Sequence, residues 1–307
     1  MWSKFNSEFD NLPTSSYEAF TESLHFILKK YTWSIPANTH DMSYISLFEH
    51  LKTTAAIAES LFRYTSKFPE SLLWDKIDEQ PQIAAGHLPL LMVCWDISGI
   101  QNFIYNISGT KAAVSLKGRS FYLQLLIDSV IQRTLSDCKA YLGNVIYNSG
   151  GKLFMLLPNL PEIKDTLNRI HAEFESEIWS QHKGKIYLCK GIQQFSYNSN
   201  TRNVVFDGNE EGSISELWKK TIEAAAQNKS RKYMTVFIDE NERKDKLSYD
   251  DLFLPQGNWN MGDEYKLCAV TGEEGIKNKS LFQIKKGEDV WVTKAVKDQS
   301  ELGLALK

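Results

Sequence analysis

The feature that most narrows the fold is a run of eight residues without a charge, Leu88-Pro-Leu-Leu-Met-Val-Cys-Trp95. A short continuous apolar run of this kind is typical of a strand buried at the centre of a sheet. The segments after this run set the topology. A helical stretch from about Ser115 to Leu135 leads to two strand runs, Asn144–Tyr147 and Leu153–Leu157, separated by Asn148-Ser149-Gly150-Gly151. Those glycines tolerate positive φ, so the tetrapeptide reads as a hairpin turn. Pro161–Ser180 then places Leu167, Ile170, Phe174 and Ile178 at helical spacing, and a further strand runs from Gly184 to Cys189. Strand–helix–strand–strand–helix–strand is the order of a ferredoxin-like βαββαβ unit. An antiparallel sheet carrying both helices on one face buries these patterns, which makes the fold class α+β.

Blocks of different texture flank this unit. Before it, Tyr17–Tyr31 puts Phe20, Leu24, Ile27 and Leu28 on one helical face. A second helix from about Leu47 to Tyr64 passes through the alanine-rich Thr54–Ala58. Pro69–Gly86 reads as a polar connector. After the unit, from about Leu252, comes a short segment rich in Gly and Lys, with strand-like pieces at Tyr265–Val270 and Val290–Thr293. It is too small for a large core and needs docking or a staple. The expected division is a helical block over 1–86, the βαββαβ unit over 87–250, and a small module over 251–307.

A formal net charge of -3 over 307 residues argues against a nucleic-acid binder that works by bulk electrostatics, while leaving room for a local basic strip. Lys229, Arg231 and Lys232 form a small basic cluster that reads as a solvated face, with a nucleic-acid backbone as the alternative contact. Cys94, Cys138, Cys189 and Cys268 are scattered with no C-x-x-C spacing, which suits a reducing, intracellular setting. No signal peptide or membrane span is visible, so the expected location is cytoplasmic, with no membrane partner.

Two sets of segments are more specific. One is Lys30-Tyr-Thr-Trp-Ser-Ile-Pro36, leading into Ile45-Ser-Leu-Phe-Glu-His-Leu-Lys-Thr-Thr-Ala-Ala-Ile-Ala58. The other is Asp96-Ile-Ser-Gly-Ile-Gln-Asn-Phe-Ile104, then Ser115-Leu-Lys-Gly-Arg-Ser-Phe-Tyr-Leu123, then Tyr147-Asn-Ser-Gly-Gly-Lys152. In order and spacing they resemble the large subunit of type III-A (Csm) CRISPR effector complexes, over most of the chain. The resemblance implies the later helices of an HD-type nuclease domain, a first palm related to nucleotide cyclases, and a small zinc-binding module. In that family paired palms convert ATP to cyclic oligoadenylates when target RNA is bound, and the HD domain cuts single-stranded DNA.

The departures from the family pattern are equally specific. The family's metal-binding His-Asp pair lies in an early helix, whereas His40-Asp41 sits in a Pro/Asn loop. His25, His40, Asp41 and His50 are not spaced to converge on a two-ion site, and His50 reads as a packing or capping residue. The nuclease function is therefore expected to be absent, leaving an HD remnant. The cyclase motif Gly-Gly-Asp-Asp is matched by Asn148-Ser-Gly-Gly-Lys152, which keeps the glycines but has no acid. Of the two C-x-x-C pairs expected in the zinc module, only Cys268 survives, with Thr271 in its partner's place. A single thiolate does not hold a structural zinc, so no zinc is expected and Trp291 with its neighbours packs instead.

What the palm retains is a nucleotide-facing set: Asp96, Ser98, Gly99, Ile100 and Gln101 after the first strand, Arg119 near a helix start, and Ser149, Gly150 and Gly151 on the facing hairpin. Small residues permit close backbone approach and offer N–H donors to phosphate oxygens, and cations near a helix start favour an anion. The bland readings are plain turns for the glycines and a cap for Asp96. Phe103, Tyr105, Phe121 and Tyr122 read as core.

The resemblance thus implies an ATP shared with a second palm. Mg or Mn would come only with that partner, which is expected on another polypeptide or in a missing C-terminal half. It also implies other type III subunits, guide RNA and target RNA as partners through the complex. A split subunit and a fragment of a longer one both fit the chain's ends. The alternatives are a self-sufficient homodimeric cyclase and a purely structural guide-RNA-binding subunit.

Overall fold

The computed structural model describes residues 1–40, 44–74, 81–106, 112–239, 244–245, 264–285 and 287–306. Three helices come first: α1 (Trp2–Phe9), α2 (Tyr17–Thr32) and α3 (Leu47–Lys67). Ser16 and Ser46 start α2 and α3 by accepting hydrogen bonds from the amides of Ala19 and Glu49, at 3.0 and 3.1 Å. A side-chain oxygen there satisfies an amide that has no partner within the helix. The expected polar connector contains a small antiparallel ladder, β1 (Leu72–Trp74) against β2 (Pro81–Ile83).

Next come β3 (Leu90–Ser98), α4 (Ile100–Tyr105), α5 (Ala112–Cys138), β4 (Val145–Ser149), β5 (Lys152–Pro158), α6 (Pro161–His182) and β6 (Tyr187–Asn198). Two short strands, β7 (Asn203–Val205) and β8 (Glu211–Gly212), and helix α7 (Ile214–Lys229) complete the series. Among the described residues the largest sheet has six strands in the order β4-β5-β3-β6-β7-β8. The βαββαβ order is present: α5 links β3 to β4 past the intervening β5, and α6 links β5 to β6 past β3. β3 and β5 are its inner strands, and Leu91, Val93, Trp95, Leu153, Met155 and Leu157 are fully buried.

The boundaries differ from the sequence reading in three places that bear on function. β3 continues through Asp96, Ile97 and Ser98, so these residues lie in the strand rather than after it. α5 begins at Ala112, and Lys117–Ser120 therefore lies inside the helix rather than near its start. β6 runs nine residues past Cys189 and recruits β7 and β8.

The chain forms two compact units that interleave along the sequence. The first comprises Met1–Trp95, Ile131–Ile170 and Lys190–Asn228. The N-terminal helices do not stand apart from the sheet here. On α3, Lys52 Nζ donates to Ile146 O and Arg63 Nη1 to Lys139 O. Glu59 accepts from the buried Asn144, whose amide also donates to Leu156 O at 2.8 Å. Gly191 of β6 is fixed by α7, because a Cβ there would lie 2.3 Å from Thr221 O.

The second unit comprises Asp96–Val130, His171–Cys189 and Lys229–Lys307. Glu175, 1% exposed, accepts from the Tyr233 amide at 3.1 Å and from the Thr235 hydroxyl. Trp179 packs edge to face with Tyr233 and Phe237, and Tyr187 with Tyr233. The C-terminal segment holds two ladders, Tyr265–Leu267 against Glu274–Ile276 and Leu281–Gln283 against Trp291–Thr293, and then a helix, Lys294–Ala305. Cys268, Val270, Leu281, Trp291, Val292 and Val296 form its small core. Among the described residues no helix is long and apolar enough to cross a membrane.

Candidate functional site

The site begins where β3 ends. Ile97 and Ser98 are buried, Asp96 is half-buried, and Gly99 turns the chain with φ +91°. That value lies in the region where only glycine is unstrained. A Cβ at Gly99 would also fall 2.3 Å from Lys185 O, so two independent constraints demand glycine. Gly99 O accepts from the Phe103 amide at 2.9 Å and opens α4. Gly99 and Gln101 are exposed, Ile100 is half-buried, and Phe103 is buried.

Arg119 holds this turn from behind. Its guanidinium, 3% exposed, donates through Nη1 to Phe103 O at 2.7 Å and Asn106 O at 3.0 Å, the C-terminal carbonyls of α4. Nε donates to Gln299 Oε1 at 3.3 Å, and the group lies 5.3 Å from the centre of the Phe103 ring. Burial pushes its pKa down, with Cys268 and Glu273 acting the other way. The expectation that Arg119 offers a cation to an anion near a helix start is thus corrected: it lies within α5 and serves backbone carbonyls inside the protein.

The aromatic residues divide. The Phe103 ring sits edge-on to His182 at 5.2 Å, and the Tyr122 hydroxyl lies 2.7 Å from His182 Nε2. Burial, followed by Lys185 and Arg119, holds His182 down to about 4, and burial pushes Tyr122 up to about 12. Tyr105, expected in the core, is 73% exposed.

Ser149, Gly150 and Gly151 belong to the other unit. Ser149 pairs with Lys152, which leaves Gly150-Gly151 as a two-residue loop with φ +62° and +80°. Positive φ at both central residues is the type I′ pattern favoured by antiparallel hairpins. The turn is narrower than the tetrapeptide suggested, since Asn148 and Ser149 are ladder residues. Ser149 and Gly150 are exposed, and no residue from Asn148 to Lys152 is acidic.

Metal-ligating chemistry is sparse. Among the described residues no three His, Cys, Asp or Glu side chains gather where they could hold a metal. His25 is edge-on to Phe48 at 5.1 Å, and burial, then Lys52 and Lys29, lowers its pKa. His50, expected to pack or cap, is exposed. His40 is exposed, and Asp41 lies outside the described residues. Cys268 sits in the apolar core with Trp291, and its sulfur accepts from the Thr271 amide at 3.4 Å. Lys229, Arg231 and Lys232 are all exposed.

Residues 89–244, the span that carries the sheet, match the sequence model of the Csm1 subunit domain B. The chain belongs to the Csm1 family. Its relatives include the type III-A CRISPR single-strand-specific deoxyribonuclease Cas10/Csm1 of Enterococcus italicus, 33% identical over 226 residues. That alignment covers 71% of this chain and 28% of the relative. The protein of the same name from Methanocaldococcus jannaschii is 24% identical over 308 residues, covering 94% of this chain and 36% of its own. The chain therefore spans between a quarter and two fifths of these Csm1 relatives. Among solved structures, Csm1–Csm4 cassettes in complex with cA4 and with one ATP superpose with TM-scores of 0.59 and 0.58. Identity is 22% and 20%, over 76% of this chain and 30% of each Csm1–Csm4 match, which supports the shared fold.

The sequence did not point to Lys185, Glu273 or Gln299 as supports of the Gly99 turn. Each lies far along the chain from the residue it supports, and no local pattern announces such a contact. Only the small residues Gly118 and Gly303 leave a trace of it.

Proposed function

We propose that this chain forms the first palm of a type III-A CRISPR large subunit and supplies nucleotide-binding and scaffold surfaces for cyclic oligoadenylate synthesis. A degenerate HD remnant precedes the palm, and a zinc-ribbon-like module without zinc comes after it. The observation that carries the reading is a βαββαβ sheet, in a Csm1-family chain, whose Gly150-Gly151 hairpin is open at the tip and free of carboxylates. The related Csm1–Csm4 cassettes solved with one ATP and with AMPPNP make a nucleotide the natural occupant.

The division of labour follows from the donor set. Bridging a triphosphate through divalent metal needs carboxylates converging on one point. The Asn148–Lys152 turn offers none, so Mg or Mn does not fit there and belongs with a second palm. The chain's own contribution is steric and polar. In the first unit, exposed Gly150 lets a nucleotide approach the hairpin backbone, where Ser149 and the Gly151 amide offer donors; in the second, exposed Gly99 does the same beside Ser98 and the backbone amides of Ile100 and Gln101. Arg119 acts behind it rather than on the nucleotide. The other partners are further type III subunits, with guide and target RNA reached through the complex, in the cytoplasm.

The test uses this chain assembled with its second palm and the rest of the effector. Ser149→Trp adds bulk at an exposed ladder residue and is expected to weaken ATP binding about tenfold, ~1.4 kcal/mol. Ser98→Ala is expected to weaken it less. Unchanged ATP affinity in both variants would contradict the nucleotide role and favour a purely structural subunit.

A further inference from the structure

The C-terminal segment reaches the Gly99 turn by two routes. The first passes through Arg119, which joins the carbonyls of Phe103 and Asn106 to Gln299 of the C-terminal helix. Gln299 is only 5% exposed, so its carboxamide is not competing with bulk water for the guanidinium. Two glycines set the register of this contact. A Cβ on Gly118 would lie 1.8 Å from Gln299 O, and one on Gly303 would lie 2.4 Å from Val114 O. The backbones of α5 and the C-terminal helix therefore touch, and Arg119 and Gln299 are held opposite each other. Lys117 Nζ, which donates to Leu306 O, closes the far end. The second route passes through Lys185. Its carbonyl occupies the space that a Cβ at Gly99 would need, and its ammonium pairs with Glu273 in the C-terminal segment.

We infer that the C-terminal segment, through Gln299–Arg119 and Glu273–Lys185, positions the Gly99 turn for nucleotide, with Arg119 as the principal positioning residue. This rests on the nucleotide reading of that turn. The physical argument is geometric. A six-residue helix has too few internal hydrogen bonds to fix its own orientation, and α4 carries a buried cation on its last carbonyls instead. A shift of the C-terminal helix is passed to Phe103 and Asn106 by a fork of donors with fixed geometry. A second palm, a bound RNA or another subunit that moves this segment would thereby alter the nucleotide edge.

The experiment measures KM and kcat for ATP in the assembled effector, alongside thermal stability, for Gln299→Leu, Arg119→Lys and Arg119→Met. Loss of an edge that holds ATP equally in the ground and transition states raises KM and leaves kcat nearly unchanged. Gln299→Leu is expected to raise KM about 3- to 10-fold, in the range of coupling through a contact outside the site. Arg119→Lys, which keeps the charge and loses the fork, falls between wild type and Arg119→Met. Should Arg119→Met fail to fold, the exposed pair keeps the test open: Lys185→Glu and Glu273→Lys each raise KM, and the swapped double variant restores it.

Unchanged KM in folded Gln299→Leu and in the single charge reversals would overturn the inference. Ser149→Trp separates the two levels. If it weakens ATP while Gln299→Leu does not, the coupling is wrong and the site stands; if neither matters, both fall.

Discussion

At Gly150 a Cβ would meet no heavy atom within 4 Å, whereas at Gly99 it would lie 2.3 Å from the carbonyl oxygen of Lys185. Both glycines have positive φ, +62° and +91°. The hairpin needs glycine for its backbone angle alone, and its tip is open to whatever approaches from outside. The Gly99 turn needs glycine for its angle and for the space, because its inner side is already occupied. An open turn tolerates change and is free to meet a ligand. A crowded turn transmits the state of its neighbours. The same residue type thus sits in open space in one unit and against packed backbone in the other.

The largest expected effect breaks the crowded turn. Gly99→Ala combines left-handed strain with a collision against backbone that has no rotamer to yield, and should destabilise the protein by about 3 kcal/mol. Thermal unfolding would check it. Next is acid. His182, beside Phe103 under the same turn, is held at about 4 when folded against 6.5 in the ordinary case. A histidine with a depressed folded pKa binds fewer protons when folded than when unfolded. Its contribution is therefore intact above pH 6.5 and is lost as pH falls from 6.5 towards 4, by at most about 3 kcal/mol. Comparing wild type with His182→Gln across that range should show the acid-dependent loss shrinking in the variant.

The open hairpin should respond more gently. Gly150→Ala is expected to cost about 1 kcal/mol, from backbone strain alone, and Gly150→Asn close to nothing, because asparagine tolerates the left-handed region. If Gly150→Ala were as damaging as Gly99→Ala, the contrast between the turns would fail. The smallest effect is at the solvent-exposed end of the joint. Glu273→Gln removes a part-exposed ion pair with Lys185 and should change stability by under about 1 kcal/mol, less at high salt.

The sheet was legible because its inner strands are apolar without interruption, from Leu90 to Trp95 and from Leu153 to Leu157, and because Gly150-Gly151 names its own turn. The end of β3 was not, since Asp96 is a poor strand former and the apolar signal stops at Trp95. The extension of β6 was hidden by Lys190-Gly191 and by Gln193-Gln194. Gly191 is there because α7 touches the strand, and Gln194 is satisfied by Lys164 at 2.9 Å. Both are tertiary reasons. The reading of α5 began three residues late, at Ser115 rather than Ala112, and gave no sign that Gly118 inside the helix makes room for the C-terminal helix. At the site, the glycines at 99, 150 and 151 were readable as turns. The burial of Arg119 was not, because its acceptors are two backbone carbonyls more than ten residues upstream and a side chain 180 residues downstream.

The central claim is that this chain supplies a nucleotide edge and leaves the metal-bridging carboxylates to another palm. The most direct measurement is ATP binding and turnover by this chain alone and together with its second palm, in the presence of Mg or Mn. No product is expected from the chain alone, with binding and cyclic oligoadenylate formation once the second palm is added. Product made by the chain alone would contradict it and establish a self-sufficient cyclase.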